Sequence, residues 1–228
     1  MLSSVFLMLG QSIPATTPVS RLAEDWWKVR HEACVAATTR ADFDVAFLGD
    51  SITQGWESVG KPYWDKNFAP LKSANFGFSG DRTEHVLWRL DNGEIIGAKP
   101  KLIVIMIGTN NIGHGSSNSA QTAEGVRAIV GKLRAALPST QVLLLGTFPR
   151  GQAASDNGRR AVASAVESYK SVADGRSVHF LDIGPKFVSQ DGSIQAAIMP
   201  DYLHLSPAGY QIWGDNILPA MKTILGVK

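Results

Sequence analysis

Runs of consecutive, largely apolar residues, each followed by glycine or aspartate, constrain the fold of this chain more than any other feature. Four of them occupy residues 45–48, 102–107, 142–145 and 178–181, and a shorter strand-like segment occupies residues 73–76. A strand with one face in water alternates in polarity, whereas a parallel strand covered on both faces is apolar throughout. The runs therefore predict about five parallel strands inside an α/β protein.

Stretches with a helical period separate these runs. One of them has the apolar stripe Val126, Ile129, Val130, Leu133 and Leu137 behind a capping Asn118. A second stripe spans residues 162–172, and the last helix begins at Ser206-Pro207. Alternation of strands and helices predicts βαβ units with helices on both faces of the sheet. Residues 21–228 contain no linker or internal repeat and are predicted to form a single domain.

The segment 1–20 is predicted to lie outside that domain. An apolar run at residues 2–9 is followed by small residues and prolines, as at the end of a secretory signal, but no Lys or Arg precedes Arg21. We expect a signal-like segment or an N-terminal arm, and a secreted or periplasmic protein, with a cytoplasmic location as the alternative. No run approaches the roughly 18 apolar residues of a membrane-spanning helix, so no span is expected.

Charge and cysteine content argue against several functional classes. Lys and Arg number 22 against 20 Asp and Glu, a net charge of +2, whereas nucleic-acid binders usually carry a clustered basic stripe. Cys34 is the only cysteine, which excludes an internal disulfide framework or a Cys-rich zinc site. The five histidines have no HxxxH or HxH spacing. We therefore expect no nucleic-acid partner, no metal and no cofactor.

Polar residues follow the strand-like runs and recur near the end of the chain, at residues 49–53, 77–81, 108–111 and 201–205. In open parallel sheets, ligands bind beyond the carboxyl ends of the strands. We expect these four segments to meet at one edge of the sheet and interpret them as the functional site.

A nucleophile and its base can be chosen from these segments. Ser51 follows a strand by two residues, in a turn that would present its hydroxyl near a helix N-terminus. A serine needs an adjacent base, and His204 is the best candidate because Asp201 lies three residues earlier and can orient its ring. Taken singly, a turn serine and a surface Asp–His pair are the commoner interpretations. His114 is a competing base, without a carboxylate nearby in sequence.

Acyl transfer also needs hydrogen-bond donors for the tetrahedral oxyanion. The backbone N–H groups of Ser51 and Gly80 and the side-chain amide of Asn110 follow three different predicted strands. They form a candidate oxyanion hole. Considered alone, Gly80 is more simply a turn glycine and Asn110 a loop-closing amide.

The order of these segments resembles a known family. Gly-Asp-Ser, Asn-x-Gly-x-Ser-Gly-Asp, Gly-Thr-Asn-Asn and Asp-x-x-His-Leu are similar to the four sequence blocks of the GDSL/SGNH hydrolases. Residues 80–94 and 147–151 resemble the catalytic subunits of intracellular platelet-activating-factor acetylhydrolase. Residues 25–32 and 49–56 look more like secreted bacterial acetylesterases.

The resemblance implies a flavodoxin-like three-layer sandwich, no metal and a preference for short acyl groups. It also implies a catalytic triad of Ser51, His204 and Asp201 and an oxyanion hole of Ser51, Gly80 and Asn110. Each of these residues falls on a position that matches a block of the family.

Four residues near the predicted site are candidate substrate-binding groups: Asp81, Arg82, Trp56 and Trp88. Asp81 and Arg82 would orient a substrate or fix their loop by an ion pair. For the tryptophans, packing of helices onto the sheet is the alternative. Helix packing is also the interpretation for Trp26, Trp27 and Trp213.

These expectations describe a serine esterase that hydrolyses short-chain, acetyl-type esters. The first interpretation is a carbohydrate O-acetylesterase acting on a small-molecule or polysaccharide ester. A phospholipid-directed acetylhydrolase or lysophospholipase would use the same machinery. A non-catalytic carbohydrate-binding protein could keep the same fold. The family resemblance also allows a homodimer.

Overall fold

Every strand-like segment of the sequence forms a strand in the computed structural model, which describes residues 14–227. The strands are β1 (Val45–Gly49), β2 (Ser73–Gly77), β3 (Leu102–Met106), β4 (Gln141–Leu145) and β5 (Val178–Leu181). They form one parallel sheet in the order β2-β1-β3-β4-β5. This is the strand order of flavodoxin-like sheets, so the predicted fold class is confirmed.

The pairing register sets where the strands end. Gly49, the last residue of β1, lies opposite Gly77 of β2 on one side and Met106 of β3 on the other. The three neighbouring strands therefore end level with one another, and the loops that follow them start from one short stretch of the sheet edge.

Eight α-helices lie between and beyond the strands within residues 14–227. They are α1 (Asp25–Arg40), α2 (Ser51–Gln54), α3 (Lys61–Asn67), α4 (Thr83–Asp91), α5 (Thr109–Gly113), α6 (Ser119–Ala136), α7 (Asn157–Tyr169) and α8 (Pro207–Leu225). The sequence signals for two of the helix starts are confirmed. Asn118 and Gln121 cap α6 reciprocally, and the Ser206 hydroxyl accepts from the Gly209 N–H at the start of α8.

The helices cover both faces of the sheet. Apolar side chains of α1, α4, α6 and α7 pack on one face, and α8 packs on the other together with residues 52–71. Leu48 of β1 faces the first layer and Phe47 faces the second, and both are buried. Burial on both faces is the physical reason that β1 and β3 are apolar throughout.

The described part of the N-terminal segment packs on the domain. Ala15 is fully buried, and its carbonyl oxygen accepts a hydrogen bond of 2.8 Å from the Thr83 hydroxyl. The Val19 N–H donates to the Glu84 carbonyl. The signal-like run at residues 2–9 lies outside the described residues. Among the helices found between residues 14 and 227, none is long and apolar enough to cross a membrane.

Candidate active site

The turn after β1 presents Ser51 as the first residue of α2. Gly49 ends the strand where a Cβ atom would lie 2.4 Å from the Met106 carbonyl oxygen, so only glycine fits beside β3. The Asp50 carboxylate then caps α2, with its Oδ1 accepting from the Ile52 N–H at 3.0 Å. Ser51 is thereby held at the carboxyl edge of the sheet, with its side chain partly exposed.

The structure brings Ser51, His204 and Asp201 together, although 153 residues separate the serine from the histidine. Ser51 Oγ lies 2.9 Å from His204 Nε2, and His204 Nδ1 lies 2.6 Å from Asp201 Oδ2. The second oxygen of Asp201 accepts from the backbone N–H of His204 at 2.7 Å and from that of Leu203 at 3.1 Å. This arrangement can pass a proton from the serine hydroxyl to an oriented imidazole.

The electrostatics of Asp201 suit an ionised partner for the imidazole. Burial by itself raises the pKa of Asp201, but the hydrogen bonds from the His204 ring and backbone outweigh it, so the pKa lies below its ordinary value. Tyr202, inside the same loop, has a φ of 59°, a conformation that costs free energy for a residue with a side chain. Such a loop is held by its contacts, here including the hydrogen bonds to Asp201.

Gly80 and Asn110 stand at neighbouring strand ends. Gly80 follows β2 by three residues and has a φ of 73°, and Asn110 follows β3 by four residues in the first turn of α5. The Asn110 side chain is almost fully buried, and its Nδ2 donates to the Asp81 carbonyl oxygen at 3.0 Å. That nitrogen carries a second N–H, which makes no hydrogen bond to any described residue and is free to bind a ligand oxygen.

The substrate-binding role predicted for Asp81 is wrong. Its side chain is fully buried and accepts from Arg21 Nη1, Trp27 Nε1 and Arg89 Nε at 2.8 to 2.9 Å. The alternative, an ion pair that fixes the loop, is confirmed. Arg82 is partly exposed, immediately precedes α4 and pairs with Glu84 in the first turn of that helix. Its contact with substrate stays a prediction.

The two tryptophans proposed as substrate-binding groups take the alternative role, packing. Trp56 is fully buried among aromatic side chains, with Trp213 4.9 Å and Tyr210 4.6 Å away between ring centroids, so it cannot form a pocket wall. Trp88 packs against Trp27 at 5.4 Å, in the layer between helix and sheet. Packing is thus the observed role of both candidates.

Exposure also separates the tryptophans assigned to helix packing. Trp27 and Trp213 are buried, as expected, whereas Trp26 is 42% exposed.

An open cavity of about 490 Å³ adjoins the Asp201 loop. Its lining includes the apolar side chains of Ile112 and Leu203 together with the charged groups of Arg150 and Asp156. Arg150 Nη1 also donates to the Thr109 carbonyl oxygen at 2.8 Å, next to Asn110. No sequence pattern pointed to Arg150 beyond its place in residues 147–151. For a metal, no cluster of three or more His, Cys, Asp or Glu side chains able to hold an ion occurs within residues 14–227.

Asp50 is a buried carboxyl group beside the serine. Its side chain is fully buried, and Oδ2 makes no hydrogen bond within the described residues. Burial raises the pKa of Asp50 to about 7, while the Ile52 N–H and the charge of His204 act in the opposite direction. Asp50 is therefore protonated in a large part of the molecules near neutral pH.

We expect Asp50→Asn to stabilise the protein at neutral and alkaline pH but not near pH 4. Asparagine keeps the oxygen that caps α2 and never ionises. The pKa of wild-type Asp50 is raised from 3.8 to about 7 on folding, so wild-type stability falls as the pH rises between these values. Above pH 7, this rise in pKa lowers the free energy of unfolding of the wild type by at most about 4 kcal/mol.

Denaturant unfolding of both proteins across this pH range measures the effect. Asp42→Asn, at a side chain that is 61% exposed, is the matched control and should change stability little at any pH. If Asp50→Asn raised the free energy of unfolding equally at pH 4 and pH 8, ionisation of the buried Asp50 carboxyl would not be the cause.

Comparison with known proteins places the chain in a family. A family model described as GDSL-like lipase/acylhydrolase matches residues 47–212. The alpha1 subunit of platelet-activating factor acetylhydrolase IB from Homo sapiens is 39% identical over 208 residues, which cover 89% of this chain and 87% of that protein.

Solved structures share the fold at lower sequence identity. A GDSL-like lipase from Bacteroides thetaiotaomicron superposes with a TM-score of 0.70 at 19% identity, covering 87% of this chain and 97% of that one. A catalytic mutant of an acetylxylan esterase from Geobacillus stearothermophilus gives a TM-score of 0.62 at 19% identity, covering 81% and 94%.

These findings define the chain as a carboxylic ester hydrolase. More narrowly, it belongs to the GDSL-like lipase/acylhydrolase family, as its four sequence blocks indicate.

Proposed function

We propose that this protein hydrolyses short-chain, acetyl-type esters through an acyl-enzyme on Ser51, and that acetylated carbohydrates are its substrates. The observation that carries the proposal is the hydrogen-bonded chain from Ser51 Oγ through His204 to Asp201. A serine hydroxyl becomes a competent nucleophile when such a base removes its proton.

In this mechanism, Ser51 Oγ attacks the ester carbonyl carbon and its proton passes to His204 Nε2. The backbone N–H groups of Ser51 and Gly80 and the Asn110 amide stabilise the oxyanion. Collapse of the tetrahedral intermediate expels the alcohol, which takes the proton from His204. Water then attacks the acyl-enzyme with His204 again as base, and release of the acid regenerates Ser51.

We infer that the acyl group enters the open cavity beside Asp201, whose mixed apolar and charged lining favours a short chain. A long alkyl chain laid along its lining would displace water from the charged groups of Arg150 and Asp156, and unpaired burial of charge is costly. Among the similar proteins, one is named an acetylhydrolase and another an acetylxylan esterase. Both names favour acetyl transfer to water.

The phospholipid-directed alternative has one specific support, the 39% identity to a platelet-activating factor acetylhydrolase subunit.

Export and a homodimer also stay predictions. The apolar run at residues 2–9 lies outside the described residues.

A panel of aryl esters with increasing acyl length, assayed beside acetylated xylan and acetylated sugars, tests the proposal. We expect the highest kcat/KM with acetyl, a steep decline for longer chains, and release of acetate from the carbohydrates. Ser51→Ala supplies the background rate. A preference for long acyl chains would favour the lipid-directed alternative, and no hydrolysis of any ester by the wild type would favour a non-catalytic binder.

A further inference from the structure

The loop from Gly77 to Asp81 carries the backbone donor of the oxyanion hole, and side chains from distant elements hold it. Arg21 Nη1 donates to the Ser79 carbonyl oxygen at 2.7 Å, and Gln54 Oε1 accepts from the Ser79 N–H at 2.7 Å. Both the backbone N–H and the backbone carbonyl of Ser79 are therefore held by side chains. The residue that follows, Gly80, has no side chain of its own with which to fix its orientation.

Peptide geometry connects Arg21 to the Gly80 donor. The Ser79 carbonyl and the Gly80 N–H belong to one planar trans peptide, so they point in opposite directions. Because Arg21 holds the carbonyl oxygen, it directs the Gly80 N–H away from its own guanidinium group. A Cβ atom on Gly80 would lie 3.4 Å from Arg21 Nη2, so the two groups are in close contact.

The same guanidinium group is itself held on both sides. Arg21 Nη1 donates to Asp81 Oδ1 at 2.8 Å, and Nε and Nη2 donate to the two carboxylate oxygens of Glu24 at 2.9 and 2.8 Å. The Asp81 carbonyl oxygen accepts from Asn110. Arg21 thus contacts the residues before and after Gly80, and the second of these also binds the other proposed oxyanion donor.

We propose that Arg21 is a positioning residue of the oxyanion hole, which aims the Gly80 N–H at the oxyanion through the Ser79 carbonyl and the Asp81 carboxylate. The inference rests on the proposed function of Ser51 and Gly80. Arg21 precedes residues 47–212, which the family model matches. A residue that precedes the matched region therefore completes a site whose other parts lie within it.

Replacing Arg21 with methionine and with lysine tests the inference, with Arg40→Met as the matched control. Arg40 is exposed and pairs only with Asp42 among the described side chains. We expect Arg21→Met to lower kcat for an acetyl ester by about 10- to 100-fold with little change in KM. Misplacing a catalytic group by about 1 Å can lower the rate by about 100-fold. Lysine, which keeps the positive charge and one donor nitrogen, should recover part of the loss, and Arg40→Met should match the wild type.

Binding of methylboronic acid supplies a readout that does not need turnover. It forms a tetrahedral adduct with an active serine, so its affinity should fall in Arg21→Met by a factor similar to the loss in kcat. Thermal unfolding verifies that the variant is folded at the assay temperature. We expect it to fold, because Trp27 and Arg89 also donate to the Asp81 carboxylate.

The outcomes separate the two proposals. Unchanged kcat and boronate affinity in folded Arg21→Met, or a rise in KM alone, would overturn the positioning role. A wild type that hydrolyses no ester would overturn the proposed function instead.

Discussion

Ser51→Ala is expected to reduce kcat for an acetyl ester by about 10⁵- to 10⁶-fold, to the level that binding and the oxyanion donors alone support. The reason is that the proposed route forms a covalent bond to Ser51 Oγ, and among the described residues this is the hydroxyl that hydrogen-bonds to His204 Nε2, at 2.9 Å. KM should change little, because the hydroxyl contributes to bond formation more than to binding. Steady-state and burst kinetics with an aryl acetate measure both quantities.

Folding should not be the cause of this loss. The side chain that caps α2 belongs to Asp50, so alanine at position 51 leaves the helix start intact. Ser58→Ala is the matched control, since its exposed hydroxyl makes one hydrogen bond, to the Gly55 carbonyl oxygen at 3.3 Å. Loss of less than about tenfold in folded Ser51→Ala would place the nucleophile elsewhere.

The centre of the sheet was predictable because a strand that is buried on both faces has an apolar sequence. The segments 45–48 and 102–107 are apolar throughout, and the structure places the buried strands β1 and β3 there. Parallel strands have their carboxyl ends at the same edge of the sheet. Ser51 and Asn110 could therefore be assigned to one edge from the sequence. The Asp201–His204 pair was predictable for a different reason, since its geometry is local to four residues.

Contacts between distant segments could not be predicted in this way. Asp81 was expected to face substrate, but Arg21, Trp27 and Arg89 enclose it, and no sequence pattern relates these positions. Successive helical residues are rotated by about 100°, so only one residue of the pair Trp26-Trp27 can face the sheet. Which of them does depends on the docking of α1, a property of the assembled fold.

Asp201→Asn is expected to lower kcat by about 10⁴-fold while leaving the loop in place. The two backbone N–H groups of Leu203 and His204 require an acceptor where Asp201 Oδ1 lies, so the amide oxygen of asparagine should take that position. The NH₂ group then faces His204 Nδ1, which must accept rather than donate. The imidazole proton moves to Nε2, and that nitrogen can no longer accept the proton of Ser51.

The pH dependence of kcat tests this tautomer effect. A defect caused by the wrong tautomer should be present at every pH at which the wild-type Asp201 carboxylate is ionised. Because the pKa of Asp201 lies below its ordinary value, the wild-type carboxylate is ionised throughout the range above about pH 5, and the defect should be nearly constant there. Asp191→Asn is the matched control: Asp191 Oδ1 also accepts a backbone N–H two residues later, at 2.9 Å, but it lies in an exposed turn. If Asp201→Asn retained more than a tenth of wild-type kcat, the carboxylate would serve as a loop cap and His204 would need another group to fix its tautomer.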